Sequence, residues 1–98
     1  MRLAVIVTLL LALSACAGNR VADAARGAQL FAQYCAVCHG AQGEGAEAPA
    51  LKGEAKRKDR SQLEMWIKNP LPPMPTLYPK PLGDEEVSDV AAYVETLK

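Results

Sequence analysis

The sequence has little of what most metal and redox sites are built from. It holds three cysteines and a single histidine in 98 residues. A structural zinc site takes four ligands, Cys and His foremost, and with His39 alone beside Cys16, Cys35 and Cys38 such a set is hard to assemble. An excess of charge is absent as well: eleven basic and eleven acidic residues cancel to a formal net charge of zero. A nucleic-acid binder would carry a clear basic surplus, so that class is set aside. Long apolar runs are missing too. The longest, Leu3–Leu13, covers eleven residues and is interrupted by Thr8, whereas a membrane-spanning helix needs about 18 or more. No internal repeat and no second domain can be read along the chain. Once a leader is cleaved, one small domain remains, of a size at which an apolar core alone gives marginal stability.

What is present is Cys35-Ala36-Val37-Cys38-His39, and it occurs once. Two cysteines separated by two residues and followed at once by histidine form the signature by which haem is fixed covalently as a c-type group. One turn of helix puts both sulfurs on the same side, where each can form a thioether to a haem vinyl, and the adjacent His39 then projects its imidazole at the iron. A dithiol redox pair is the main rival, but that reading wants a βαβ surrounding, and none is visible. A covalently held, mostly buried haem would also be the missing core, which predicts that the chain without it folds poorly.

Taken in order, residues 1–16 read as an export signal, with Arg2 as a minimal positive region before the apolar run. Leu13-Ser14-Ala15-Cys16 looks like a bacterial lipobox, in which Cys16 becomes the lipidated first residue; ordinary cleavage near Ala15 or Ala17 is the alternative. A triacylated cysteine would anchor stably. Residues 17–22 form a short tether, whose six extended residues reach about 20 Å, and residues 23–98 form the folded domain. Asp23 is a helix N-cap, and the helix it opens runs to about Cys38, with Gly27, Leu30, Phe31, Tyr34 and Cys38 on one face. A mid-helix glycine costs about 1 kcal/mol relative to alanine, a cost that a close helix crossing at Gly27 would offset. Residues 40–53, with Gly40, Gly43, Gly45, Pro49 and Gly53, form a loop.

Ser61-Gln62-Leu63-Glu64 has the pattern of a capping box opening a second helix. That helix stops before Pro70, and Leu63, Trp66 and Ile67 make its buried face. Six prolines between positions 70 and 81 exclude helix or central strand. A stiff extended loop presenting one side chain inward fits better, and that side chain is Met74, a soft thioether suited to haem iron as sixth ligand. Gap-filling core or solvent exposure are its other readings. Met65 is the competitor, but it lies off the face carrying Leu63, Trp66 and Ile67. The last helix starts at Gly83-Asp84-Glu85-Glu86, acidic where the dipole favours it. Val87, Val90, Ala91, Val94 and Leu97 form its apolar stripe, with Tyr93 at the edge. Charges are segregated along the chain: Lys52, Lys56, Arg57, Lys58 and Arg60 in the middle, Asp84, Glu85, Glu86, Asp89 and Glu95 near the end. They make either two solvated surfaces or a dipole that steers the molecule to a partner.

Over residues 23–97 these features resemble the small monohaem class I c-type cytochromes. The resemblance rests on Gly27…Leu30-Phe31…Cys35-Ala36-Val37-Cys38-His39-Gly40, Ala48-Pro49-Ala50-Leu51, Trp66-Ile67-Lys68-Asn69-Pro70, Met74-Pro75 and Asp84-Glu85-Glu86-Val87…Ala92-Tyr93-Val94. It implies an all-α cytochrome c fold of about three helices wrapped around one haem c, covalent through Cys35 and Cys38, with no sheet. It also implies that Gly27 and Phe31 meet Tyr93, and that the Pro49 carbonyl accepts the His39 Nδ1 proton. Leu51 would pack on the haem, and Met74 would complete a His39/Met74 axial pair. Trp66 either lies near a haem propionate, with its indole N–H as donor, or packs in the core. The implied function is one-electron transfer rather than enzymatic catalysis. The protein would cycle Fe(III)/Fe(II) between redox protein partners on the bacterial periplasmic side, held to a membrane through Cys16, as a monomer or as the electron-transfer subunit of a larger oxidoreductase. A gas sensor or peroxidase would require a labile Met74; the sequence offers no distal histidine and no paired acid and base for either.

Overall fold

A computed structural model describes residues 20–98. The expected export signal and Cys16 lie outside the described residues, as do residues 17–19 of the expected tether. Four α-helices are arranged in the order α1 (Ala24–Tyr34), α2 (Ala36–His39), α3 (Arg60–Lys68) and α4 (Asp84–Glu95), with one 3-10 turn at Glu54–Lys56. There is no strand among the described residues, so the all-α expectation holds.

Local chemistry sets each boundary. The Asp23 carboxylate accepts from the Arg26 N–H at 3.0 Å and starts α1, as expected. The anticipated single helix to Cys38 is instead two. Cys35 (φ −118°, ψ −32°) departs from helical geometry between α1 and α2, and Gly40 at φ +92° ends α2 directly after His39. The cap of α3 is also two residues earlier than the Ser61…Glu64 pattern suggests. The Asp59 carboxylate accepts from the Gln62 N–H and the Gln62 side chain accepts from the Asp59 N–H, both at 2.9 Å. Two overlapping segments satisfied the same spacing rule, and the aspartate prevailed. At α4, Gly83 has no side chain to cap with; the Glu86 carboxylate accepts the Gly83 N–H at 3.0 Å. Leu97 lies beyond α4, and its carbonyl accepts the Gly53 N–H at 3.0 Å, tying the chain end to the loop 40–53.

The frame of the molecule is the crossing of α1 on α4. A Cβ built on Gly27 would lie 1.9 Å from the Asp89 carbonyl oxygen and 3.0 Å from the Tyr93 Cβ, so only glycine permits this approach. One turn on, the Phe31 and Tyr93 rings meet with centroids 5.2 Å apart and planes tilted by 58°. Phe31, Leu63, Val90, Ala91 and Val94 form the buried cluster, and each large side chain buried there contributes about 1.5–3 kcal/mol.

Asp89 is the feature that the reading of the sequence missed. Placed there among the solvated acids, it is 0% exposed. Arg20 donates to its two carboxylate oxygens at 2.9 and 3.1 Å, and the Asp23 N–H donates to it at 2.8 Å. Burial alone pushes this carboxyl up. The Arg20 hydrogen bonds, the Asp23 N–H and the charges of Arg20 and Arg26 outweigh burial and hold it below the usual carboxylate range. Arg20, a tether residue by sequence, is thereby fixed to α4. The remaining acids of α4 are matched as well: Arg20 lies 3.7 Å from Glu85, Arg26 3.1 Å from Glu86, Lys68 2.8 Å from Asp84 and Arg60 2.7 Å from Glu95. Arg57 and Lys58 both pair with Glu54 inside the basic stretch. Segregation along the chain therefore does not become two opposed surfaces; folding brings the acids of α4 against bases from the N-terminal segment, α1 and α3.

Candidate functional site

On the other side of α4 lies a cavity of about 540 Å³. Cys35, at the junction of α1 and α2, and Cys38 and His39 of α2 stand in its wall; the loop 40–53 supplies Pro49 and Leu51; α3 supplies Leu63, Trp66 and Ile67; the proline-rich loop supplies Met74 and Leu77; and α4 supplies Val90 and Val94. Every site residue singled out in the sequence within the described region lines this one space, although those residues are spread along the chain from Cys35 to Met74.

His39 is held by the loop after it. The Gly45 N–H donates to the His39 carbonyl at 2.7 Å and the Ala48 N–H to the Cys38 carbonyl at 2.8 Å. These bonds fold the loop back on α2 and place the Pro49 carbonyl 2.9 Å from His39 Nδ1. A carbonyl oxygen only accepts, so Nδ1 carries a proton and donates it to Pro49, which leaves Nε2 as the ring nitrogen available to a metal. An imidazole fixed in this way is oriented and made a better metal ligand.

The Cys35 thiol differs from the reactive thiol of a dithiol oxidoreductase. Burial, with a smaller contribution from Cys38, pushes the Cys35 thiol up to about 11, whereas reactive CxxC cysteines have lowered values. At neutral pH Cys35 is a thiol in apolar surroundings, which counts against the rival reading.

Trp66 is the correction within the site. Expected on the buried face of α3, it is 46% exposed, and only Leu63 of that face is fully enclosed by protein. The indole forms part of the cavity wall, with the Lys58 ammonium 5.5 Å from its ring centroid. Met74 is half-buried on the cavity wall, with its N–H donating to the Leu71 carbonyl at 3.0 Å. Met65 is 61% exposed and does not reach the cavity. Val90 and Val94 were legible in sequence only as an apolar stripe; the stripe serves both the core cluster and the cavity. Lys58 carried no sequence signal beyond its place in a run of bases.

The donor set fits a haem. An imidazole with a free Nε2, a soft thioether and a pair of thiols at CxxC spacing share one largely apolar space, and among the described residues no cluster of acids, histidines and cysteines competes for a bare metal ion.

A helical chain with these groups in a single cavity is a small protein of covalently bound haem. The cytochrome c family model matches residues 24–98. The chain is 38% identical over 76 residues to a cytochrome c-553-like protein of Synechocystis sp., spanning 76% of this chain and 70% of that protein. It is 33% identical over 99 residues to cytochrome c-552 of Bradyrhizobium diazoefficiens, spanning 94% and 92%. Cytochrome c6 of the diatom Phaeodactylum tricornutum superposes with a TM-score of 0.62 at 31% identity, covering 74% of this chain and 90% of that one. The chain belongs to the cytochrome c family. It is a small class I c-type cytochrome that carries a covalently bound haem c and transfers electrons with redox partners, and it is not an enzyme.

Proposed function

We propose that the protein is a one-electron carrier whose single haem c is attached through Cys35 and Cys38 and ligated axially by His39 and Met74. The observation that carries this reading is the His39 Nδ1 to Pro49 carbonyl bond of 2.9 Å on the wall that also holds Met74. Pro49 fixes the tautomer and presents Nε2; Cys35 and Cys38 prevent loss of the group; Leu51 gives it an apolar face; Trp66 offers an indole N–H to a propionate. When bound, the haem supplies the Fe(III)/Fe(II) couple, at a potential that methionine ligation raises. With His39 and Met74 both on the iron, no coordination position would be left for a substrate, and the site would need little rearrangement between the two states.

The domain serves this role on the exported side of the cell. Residues 1–16 act as signal and lipobox, Cys16 carries the lipid anchor, and residues 17–22 lead into the haem domain at 23–98. With Arg20 fixed to Asp89 and lying four residues beyond Cys16 in the chain, the reach between them is at most about 14 Å, so the domain works close to the membrane surface. No helix among the described residues is long and apolar enough to cross a membrane. So short a span also suits a subunit held within a larger oxidoreductase complex; co-purification of stoichiometric subunits from detergent extracts is the outcome expected of that arrangement, and none is expected of a free carrier.

Met74→Ala lowers the reduction potential and lets the reduced protein bind carbon monoxide; an unchanged potential would show that another residue is the ligand. Cys16→Ser moves the protein to the soluble fraction, and retention on the membrane at the wild-type level would remove the lipid anchor from the account.

A further inference from the structure

We propose that Lys68, Tyr78 and Asp84 form a latch that holds the Met74-bearing loop closed and so sets how readily the Met74 thioether leaves the iron. The inference rests on Met74 being the sixth ligand, and it concerns three residues outside the cavity that the ligation itself does not require.

The loop leaves α3 after Lys68 and enters α4 at Asp84, and these two flanking residues are bonded to each other. The Lys68 Nζ lies 2.8 Å from Asp84 Oδ1. The Tyr78 hydroxyl, from within the loop, donates to the same oxygen at 2.9 Å. The third side is closed by the Lys68 ammonium, 4.8 Å from the Tyr78 ring centroid. One carboxylate thus joins the end of α3, the start of α4 and a loop residue four positions from Met74. The contacts are reflected in each partner: Lys68 and then Tyr78 hold the Asp84 carboxyl below its ordinary value, and Asp84 holds the Lys68 and Tyr78 groups above theirs.

The latch acts on Met74 because the loop between them is stiff. Pro70, Pro72, Pro73, Pro75, Pro79 and Pro81 restrict its backbone. Just after Met74, Leu77 faces the cavity, and its carbonyl accepts the N–H of the buried Leu82 at 2.9 Å. The loop therefore has an apolar attachment on its inner side and the Asp84 latch on its outer side. Releasing the latch removes the outer attachment of the closed segment and raises the population of conformations in which Met74 is withdrawn. The Asp84 side chain is 75% exposed, so the effect is modest rather than decisive.

Imidazole competes with methionine for ferric haem, and its affinity measures how often Met74 is displaced. The full-length ferric holoprotein is titrated with imidazole while the near-infrared methionine-to-iron band is monitored. Asp84→Asn and Tyr78→Phe are each expected to bind imidazole about two- to fivefold more tightly than wild type, from the strength of exposed charged and hydrogen-bonded pairs. Arg60→Gln breaks an ion pair to Glu95 that does not touch the loop, and it is expected to keep wild-type affinity. Wild-type affinity in both latch variants overturns the proposal, as does an equal gain in Arg60→Gln, which would report general loosening. A wild-type protein lacking the band overturns the Met74 reading and the latch with it, a result visible before any variant is made.

Discussion

The two faces of α4 are built on different terms. Towards α1, backbone approaches backbone across Gly27, two rings tilt together, and a buried carboxylate is matched by Arg20 and the Asp23 N–H. Everything in that crossing is supplied by the polypeptide. Towards the cavity, α4 gives only Val90 and Val94, and much of the wall comes from two loops rich in glycine or proline. The first face sets a frame and the second positions chemistry on it. The consequence is that stability and function should separate: perturbing the crossing costs fold, while perturbing the cavity wall changes ligation and potential. The cofactor is the exception, because it belongs to the core of so small a domain.

That exception gives the largest expected effect. Cys35→Ala/Cys38→Ala, which abolishes covalent attachment, is expected to leave a chain without a cooperative thermal transition and with most helical circular dichroism lost. A sharp transition near that of the holoprotein would mean that the crossing folds alone. Next is Gly27→Ala, in which a methyl meets the Asp89 carbonyl; overpacking against backbone is expected to destabilise the holoprotein by about 3 kcal/mol, read by denaturant titration, with axial ligation spectra unchanged. A loss under about 0.5 kcal/mol, the range of an ordinary surface substitution, would show that the helices separate without cost.

Asp89→Asn is expected to cost about 2 kcal/mol at neutral pH, less than a fully enclosed ion pair because Arg20 is partly exposed. Its pH dependence has a definite sign. A carboxyl held below its ordinary value contributes stability that is fully present above the unfolded value of about 3.9 and is lost as pH falls through the folded one. The variant should therefore have a flatter acid limb than wild type below about pH 4. Parallel limbs would mean that Asp89 is not ionised in the folded protein.

The same contrast explains what could be read in the sequence. Cys35, Cys38 and His39 were legible because their spacing is itself the chemistry, and Asp23, Gly27 and Phe31 because helix caps and helix faces obey fixed periods. Pro49 gained its place from family resemblance, and Met74 from its setting in a proline-rich run together with that resemblance, since a loop carbonyl and a lone methionine carry no period. Asp89 was misread because it sits in an acidic run, while Arg20, its partner, lies 69 positions away; nothing local marks a charge as buried when its counterion is that distant. Trp66 kept two readings because an apolar residue on a helix face looks the same whether it packs on protein or walls a ligand cavity. The α3 cap slipped because Asp59 and Ser61 both begin an acceptable box.

The central claim is that one cavity holds a covalent haem between His39 and Met74. The most direct test is the optical spectrum of the purified full-length protein, oxidised and reduced, extended into the near infrared and recorded beside Met74→Ala. The account predicts a haem that stays with the polypeptide under denaturing extraction, with a methionine-to-iron band in the oxidised wild type that Met74→Ala lacks. A properly matured protein without colour, or a band that survives in Met74→Ala, would contradict it.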